Sequence, residues 1–287
     1  MEPIKHIVFP FDFSRQGTQA VPFVRAIASK FGAKVTILGV VPPVWNTVSA
    51  DLPVLVGEEE VEKERDLQSR LERAFSEDLH GVVTERVTTL GDPGLRIVDY
   101  AHTHGADLIM MPTHGFGIFR SMLLGSSTAK VLHDAKCPVW TATHAEEQRS
   151  PAEPRTILCA VDGDAEKSVC LMRWAAEFSK RMGAALKLLH VAPLISDWLA
   201  IPSERDLQEQ VRTEARAKME SLRLSAGVDA PLTVAVGKIS DTIVEQARQG
   251  GADLIVIGRG SAQSAFGRLR THVYGIVQQS PCPVLSV

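Results

Sequence analysis

Short apolar runs and helical-period segments alternate along the chain from one end to the other. Residues 6–11 are apolar, include β-branched members and stop at Asp12, which predicts a buried strand. Ala20, Phe23, Val24, Ile27 and Phe31 then recur at helical spacing over residues 16–31, and Gly32 supplies a stop. Strand signals return at 34–41, 82–89, 108–111 and 138–141. Helix signals lie between them, at 58–80, after the Asp92-Pro93 start, and from Gly125-Ser126 to residue 133. The helix predicted over 58–80 carries its apolar stripe on Val61, Leu67, Leu71, Ala74 and Phe75. The pattern then begins again, with strands near 156–161, 185–191, 232–236, 254–257 and 283–286. A long helix over 203–226 places Leu207, Val211, Ala215, Met219 and Leu222 on one face.

The second round is a copy of the first. Gly105-Ala106-Asp107-Leu108-Ile109 matches Gly251-Ala252-Asp253-Leu254-Ile255. Cys137-Pro138-Val139 matches Cys282-Pro283-Val284, and Ile7–Asp12 aligns with Ile157–Asp162. Ile37-Leu38-Gly39-Val40 aligns with Leu188-Leu189-His190-Val191. The landmarks keep one order at separations of 145–151 residues, so the chain is a tandem pair rather than a short-period solenoid. Domains are expected at 1–143 and 156–287, joined by the polar, acidic, proline-bearing linker 144–155. Five mostly continuous apolar strands alternating with four helices predict α/β domains. Each is expected to be an open, doubly wound, five-stranded parallel sheet with helices on both faces.

Composition narrows the function classes. The 287 residues are 45% hydrophobic and 23% charged, ample for packed cores. A net charge of −3 argues against non-specific nucleic-acid binding, which needs a surplus of positive charge. No apolar run reaches the ~18 residues of a membrane span, and the start lacks a signal-peptide pattern. Four cysteines make no C-x-x-C pair, so a reducing cytoplasm is the expected compartment. Cys137, Cys159 and Cys282 read as small apolar residues. His102 and His104 stand two apart on a helix and diverge, so no metal site is expected there. Trp45, Leu52 and Leu55 lie in the long loop after the second strand, as a lid or a satellite core.

Doubly wound domains bind ligands beyond the carboxyl ends of their strands, where the strand order reverses. In the first copy those loops carry Asp12, Val40 and the segment from Pro112 to Ser127. That segment suits a phosphate. Gly115 and Gly117 let backbone approach closely, and Gly125-Ser126-Ser127 opens a helix whose free N–H groups attract an anion. Arg120 adds a positive charge, and His114 stands in the same loop within reach of phosphate or ribose. Asp12 has a structural alternative, capping the next helix through the Ser14 or Gln16 N–H. The segment is neither a G-x-x-x-x-G-K-[ST] loop nor a complete G-x-G-x-x-G, since Arg120 stands at the third glycine position.

These residues resemble the universal stress protein family, over nearly the whole chain and as two tandem domains. Its ATP-binding members carry G-x-x-G, nine residues, then G-[S/T]; here Pro112-x-x-Gly115, nine residues, and Gly125-Ser126 stand in those places. The resemblance implies an adenine nucleotide alpha hydrolase-like fold. It implies that Asp12 and Val40 lie at the adenine and ribose, and that Gly115, Gly125, Ser126 and Ser127 hold the phosphates, with Mg or Mn on them. It further implies an intramolecular pseudo-dimer of the two domains, and a homodimer is compatible with it. Pro112 departs from the pattern by removing an N–H where the family has a glycine. The second copy departs further: Gly258-x-x-Ser261, nine residues, Thr271-His272 loses two glycines. It reads as a degenerate domain kept for packing, or as an anion site remodelled around Arg259, Arg268 and Arg270. The expected function is an adenine-nucleotide (ATP)-binding stress-response protein with a regulatory, non-catalytic role. No nucleophile, histidine and carboxylate set is visible in the sequence. The alternatives are a nucleotide-free interaction scaffold and a slow ATPase.

Overall fold

The computed structural model describes residues 3–43, 58–113, 124–142, 152–193, 204–259 and 268–287. They divide into two compact units, Pro3–Trp140 and a second that runs from Thr141 to Val287, with the boundary inside the strand Val139–Ala142, which belongs with the first copy. The residues of the lid-or-core expectation, Trp45, Leu52 and Leu55, lie outside the described residues, as does most of the expected linker.

The first unit runs β1 (His6–Pro10), α1 (Arg15–Phe31), β2 (Lys34–Val41), α2 (Glu58–Arg73) and β3 (Thr84–Leu90). It continues with α3 (Pro93–Thr103), β4 (Leu108–Pro112), α4 (Ser126–Asp134) and β5 (Val139–Ala142). Its strands lie in the order β3-β2-β1-β4-β5, so the winding reverses between β1 and β4. The pairs β1/β2, β1/β4 and β2/β3 are parallel. Every residue of β1 and of β4 is buried, as expected for strands covered on both faces.

The second unit repeats this with β6 (Thr156–Val161), α5 (Ala165–Met182), β7 (Ala185–Pro193), α6 (Glu204–Ala226) and β8 (Leu232–Gly237). Then come α7 (Ile239–Gln249), β9 (Leu254–Ile257), α8 (Arg268–Gln279) and β10 (Val284–Ser286). Its order, β8-β7-β6-β9-β10, is the same strand for strand. The doubly wound parallel architecture expected from the sequence is the one observed.

The duplicated Gly-Ala-Asp motif has a mechanical role. Asp107 Oδ2 accepts from the backbone N–H groups of Lys5 and His6 at 2.8 and 2.9 Å. Asp253 Oδ2 does the same for Arg155 and Thr156, at 2.8 and 2.9 Å. Each aspartate thus precedes the fourth strand of its copy and fastens the start of the first.

Local signals set the helix ends. The Ser14 hydroxyl accepts from the Gly17 N–H and caps α1, and Asp92 accepts from the Leu95 N–H ahead of Pro93. One expectation fails. The helix predicted over 58–80 ends at Arg73, and Phe75 takes a left-handed backbone with φ 58°. The break frees Phe75 to stand 4.7 Å from the Phe11 ring in edge-on contact. Leu79, on the far side of the break, is buried. Earlier on α2, Leu67 and Leu71 press on Gly39 of β2, where an added Cβ would stand 2.8 Å from Leu71 Cδ1. A side chain at residue 39 would push this helix off the sheet.

Two buried groups make predictions here. The His6 ring is buried, with Nε2 at 2.8 Å from Thr36 Oγ1 and Nδ1 at 3.2 Å from the His104 carbonyl. Only an N–H can face that carbonyl, so Nδ1 donates and Nε2 accepts from Thr36. Burial, helped by the charge of Lys34, lowers the His6 pKa from 6.5 against the opposing pull of the His104 carbonyl, Asp107 and Glu85. The unfolded chain therefore takes up a proton first, and stability falls as pH drops below about 6.5. Urea titrations at pH 7 and pH 5.5 are expected to show this loss, and His6→Gln to reduce it; an unchanged slope in the variant would refute the assignment.

Burial also pushes the thiols of Cys159 and Cys282 up to about 12. Both therefore behave as the small apolar residues read from the sequence, whereas Cys137 is only half-buried. Cys170 is exposed on α5. A thiol reagent should label Cys170 fastest in the native protein and reach Cys159 and Cys282 only after denaturation. Mass spectrometry of a labelling time course checks the order.

Candidate functional site

The carboxyl ends of β1, β2 and β4 form the candidate site of the first unit. β1 pairs with β2 up to Pro10 opposite Leu38, and the Phe11 N–H continues the ladder to the Leu38 carbonyl at 2.9 Å. Asp12 and Val40 each lie two residues beyond that last pair, Asp12 past the end of β1 and Val40 still within β2. β1 pairs with β4 through Val8 opposite Ile109, which carries Phe11 to the level of Pro112. Asp12, Val40 and Pro112 are thus brought to one end of the sheet, across the point where the winding reverses.

Asp12 is exposed beyond the strand, and its Oδ1 accepts from the Ser14 N–H at 3.0 Å. The bond to the Ser14 N–H is the one the capping alternative named; through it Asp12 braces the turn while Ser14 itself is the N-cap of α1. Between them Phe13 adopts a left-handed backbone with φ 61°. That conformation is uncommon for a bulky residue and is held in place by packing. The Phe13 ring lies 4.7 Å from Phe11, and the Arg70 guanidinium of α2 sits 4.1 Å over its face.

Val40 borders a cleft of about 470 Å³ between the end of β2 and helix α2. Its α2 wall is charged: Glu59, Lys63, Asp66 and Arg70. Lys63 lies 2.6 Å from Glu59 and holds that carboxyl below its usual range; Arg70 reaches Asp66 at 3.7 Å. These exposed i,i+4 pairs are worth little to stability.

The start of α4 is the anion-attracting part. Gly125 is its N-cap, with φ −57° and ψ 139°, and as a glycine it has no side chain with which to cap the helix. The first turn holds no acid, while Ser126 is exposed and Ser127 half-buried. The free N–H groups and hydroxyls there face no protein acid in the first turn, the arrangement that receives an anion. The terminus is fixed to β4. Thr128 Oγ1 donates to the Pro112 carbonyl at 3.3 Å, and the Gly125 N–H donates to the Thr113 carbonyl at 3.3 Å. Of the residues named from the sequence, Asp12, Val40, Pro112, Gly125, Ser126 and Ser127 stand on the described elements at this end of the sheet. His114, Gly115 and Arg120 lie outside the described residues.

The comparisons with known proteins agree with this architecture. The model of the universal stress protein family matches residues 3–142 and again 153–287. The chain belongs to the universal stress protein family. A universal stress protein of Mycolicibacterium smegmatis is 25% identical over 98% of this chain and 96% of its own length. One from Thermus aquaticus is 34% identical over 47% of this chain and 96% of its own. The crystal structure of a universal stress protein from Archaeoglobus fulgidus superposes on the whole chain, covering 100% of it and 98% of its own, with a TM-score of 0.72 at 19% identity. That likeness shows the fold. Among the described residues, no helix is long and apolar enough to cross a membrane.

Sequence reasoning missed the aromatic cluster of this universal stress protein. Phe9, Phe11 and Phe13 alternate along the chain and so share one face of the first strand and its turn, a period-two signal that was available. Phe75 joins them from sixty residues away, and nothing local announces it.

Proposed function

We propose that the N-terminal domain binds an adenine nucleotide, ATP foremost, and that binding regulates rather than catalyses. The observation that carries this reading is the uncapped start of α4 behind Gly125, beside the reversal of strand order. In this reading the phosphates rest on the N–H groups and hydroxyls of Ser126 and Ser127, with Gly125 leaving room for their approach. The adenine and ribose extend toward Asp12 and Val40. His114, Gly115 and Arg120 belong to the same site on sequence grounds. A divalent cation, Mg or Mn, would travel with the phosphates and offset their charge. The pairing of the two domains as a pseudo-dimer is part of the same proposal; it would cover the short apolar strands β5 and β10.

Nucleotide can regulate only if two states of the protein differ in affinity for it. A second reading, the nucleotide-free scaffold, draws on Pro112, which offers no N–H at the end of β4. Calorimetric titration with ATP, ADP and AMP separates the two. Affinity is expected to fall from ATP to ADP to AMP, because each lost phosphate removes charge from the helix terminus. Absence of binding by all three at millimolar concentration would overturn the nucleotide reading in favour of the scaffold.

A further inference from the structure

The two copies differ where the first is filled with phenyl rings. Phe11, Phe13 and Gly39 of the first copy correspond to Val161, Gly163 and His190 of the second. In the first unit the Phe11 ring lies 4.7 Å from the Phe13 ring and 4.7 Å from the Phe75 ring, and α2 lies directly on Gly39. In the second unit the rings are gone and a cavity of about 440 Å³ takes their place. Its walls are apolar, from Val161 and Val191 on the strands, Ala215 and Met219 on α6, and Ile243 on α7. The volume lies in the range of small-molecule sites, about 300–1,000 Å³.

One buried polar group lines that cavity. His190 is 9% exposed, and its Nδ1 lies 2.8 Å from the Val161 carbonyl. A carbonyl accepts only, so Nδ1 carries the hydrogen and Nε2 is left with a lone pair. Among the described residues Nε2 has no protein partner. Burial lowers the pKa of the ring and Lys218 adds to that effect, against the opposing pull of the Val161 carbonyl and Asp162, which favours the neutral ring with Nε2 as an acceptor. A buried acceptor left unmet costs stability, and a cavity beside it invites a donor.

The mouth argues against phosphate. It carries two carboxylates, Asp162 and Asp164, against the single ammonium of Lys218. Asp164 also caps α5 by accepting from the Lys167 N–H, which holds that carboxylate at the mouth. We propose that this cavity is a binding site for a small, phosphate-free ring compound that donates an N–H or O–H to Nε2 of His190. The second copy is then more than a packing relic, and the ligand of this cavity is chemically distinct from that of the first.

The test uses the full chain and two probes, 2-naphthol and its methyl ether 2-methoxynaphthalene, which share the ring body and differ in the O–H donor. Fluorescence titration is expected to show the naphthol binding about tenfold or more tightly than the ether. Ala215→Leu, which fills the cavity from the helix side, should weaken both probes. His190→Phe should keep the ether and erase the preference. In nitrogen-15 spectra, Nε2 of His190 should shift on adding the naphthol, and saturating ATP should displace nothing. Equal affinity for the two probes, no binding of either at millimolar concentration, displacement by ATP, or an Nε2 signal indifferent to the naphthol would each overturn the proposal. Failure of nucleotide binding at Gly125 leaves these readouts unchanged, so the two readings fall separately.

Discussion

Gly125→Val is expected to weaken ATP binding by about 100-fold or more, roughly 2.7 kcal/mol, while leaving the fold intact. The backbone angles φ −57° and ψ 139° are open to any L residue, so valine adopts them without strain. The anion, in contrast, must come within hydrogen-bond distance of the N–H groups that open α4, and a branched side chain at the N-cap stands in that path. The melting temperature without nucleotide should therefore stay near that of the wild type, while the stabilisation by Mg-ATP disappears. Calorimetry and thermal melts, each with and without nucleotide, give both halves of the result. A Gly125→Val protein that takes up ATP with wild-type affinity would remove the phosphates from α4.

The second large effect concerns the fold. Asp107→Ala is expected to cost about 1.5–3 kcal/mol, because it strips two backbone N–H groups of their charged acceptor. Those donors are the Lys5 and His6 amides, and the second is partly buried at the start of the central strand. For a chain of this size each kcal/mol lowers the melting temperature by about 2–4 °C. Asp107→Asn keeps one amide oxygen as acceptor and should lose less. The repeat supplies an internal replicate: Asp253→Ala removes the same pair of contacts from Arg155 and Thr156. Chemical denaturation of the variants checks the size and the order. If Asp107→Ala unfolds within about 0.5 kcal/mol of the wild type, the carboxylate is not a fastener.

The duplicated motif also shows how far the sequence reaches. Repetition located both copies of Gly-Ala-Asp-Leu-Ile, and apolar continuity placed β4 and β9 directly after their aspartates. Neither signal said that the aspartates turn back to the amides of β1 and β6, more than ninety residues earlier in the chain. The same division runs through the candidate site. Asp12, Val40, Pro112 and the Gly125 helix start were legible because each ends or begins an element with a strong local period. The left-handed turn at Phe13 and the early end of α2 were not legible, because both follow from rings that meet across the fold.

The sequence by itself determined the alternation of strands and helices, the tandem repeat, the parallel doubly wound class and the loops that gather at the strand ends. Those properties rest on side-chain period and turn chemistry, which act over a few residues. Only the tertiary structure decided that one copy fills the space over its first two strands with phenyl rings while the other keeps it open around His190. The physical reason is close packing: whether a given place is filled or empty depends on the summed volumes of side chains that meet there from strands and helices far apart in the chain, and no local window contains that sum.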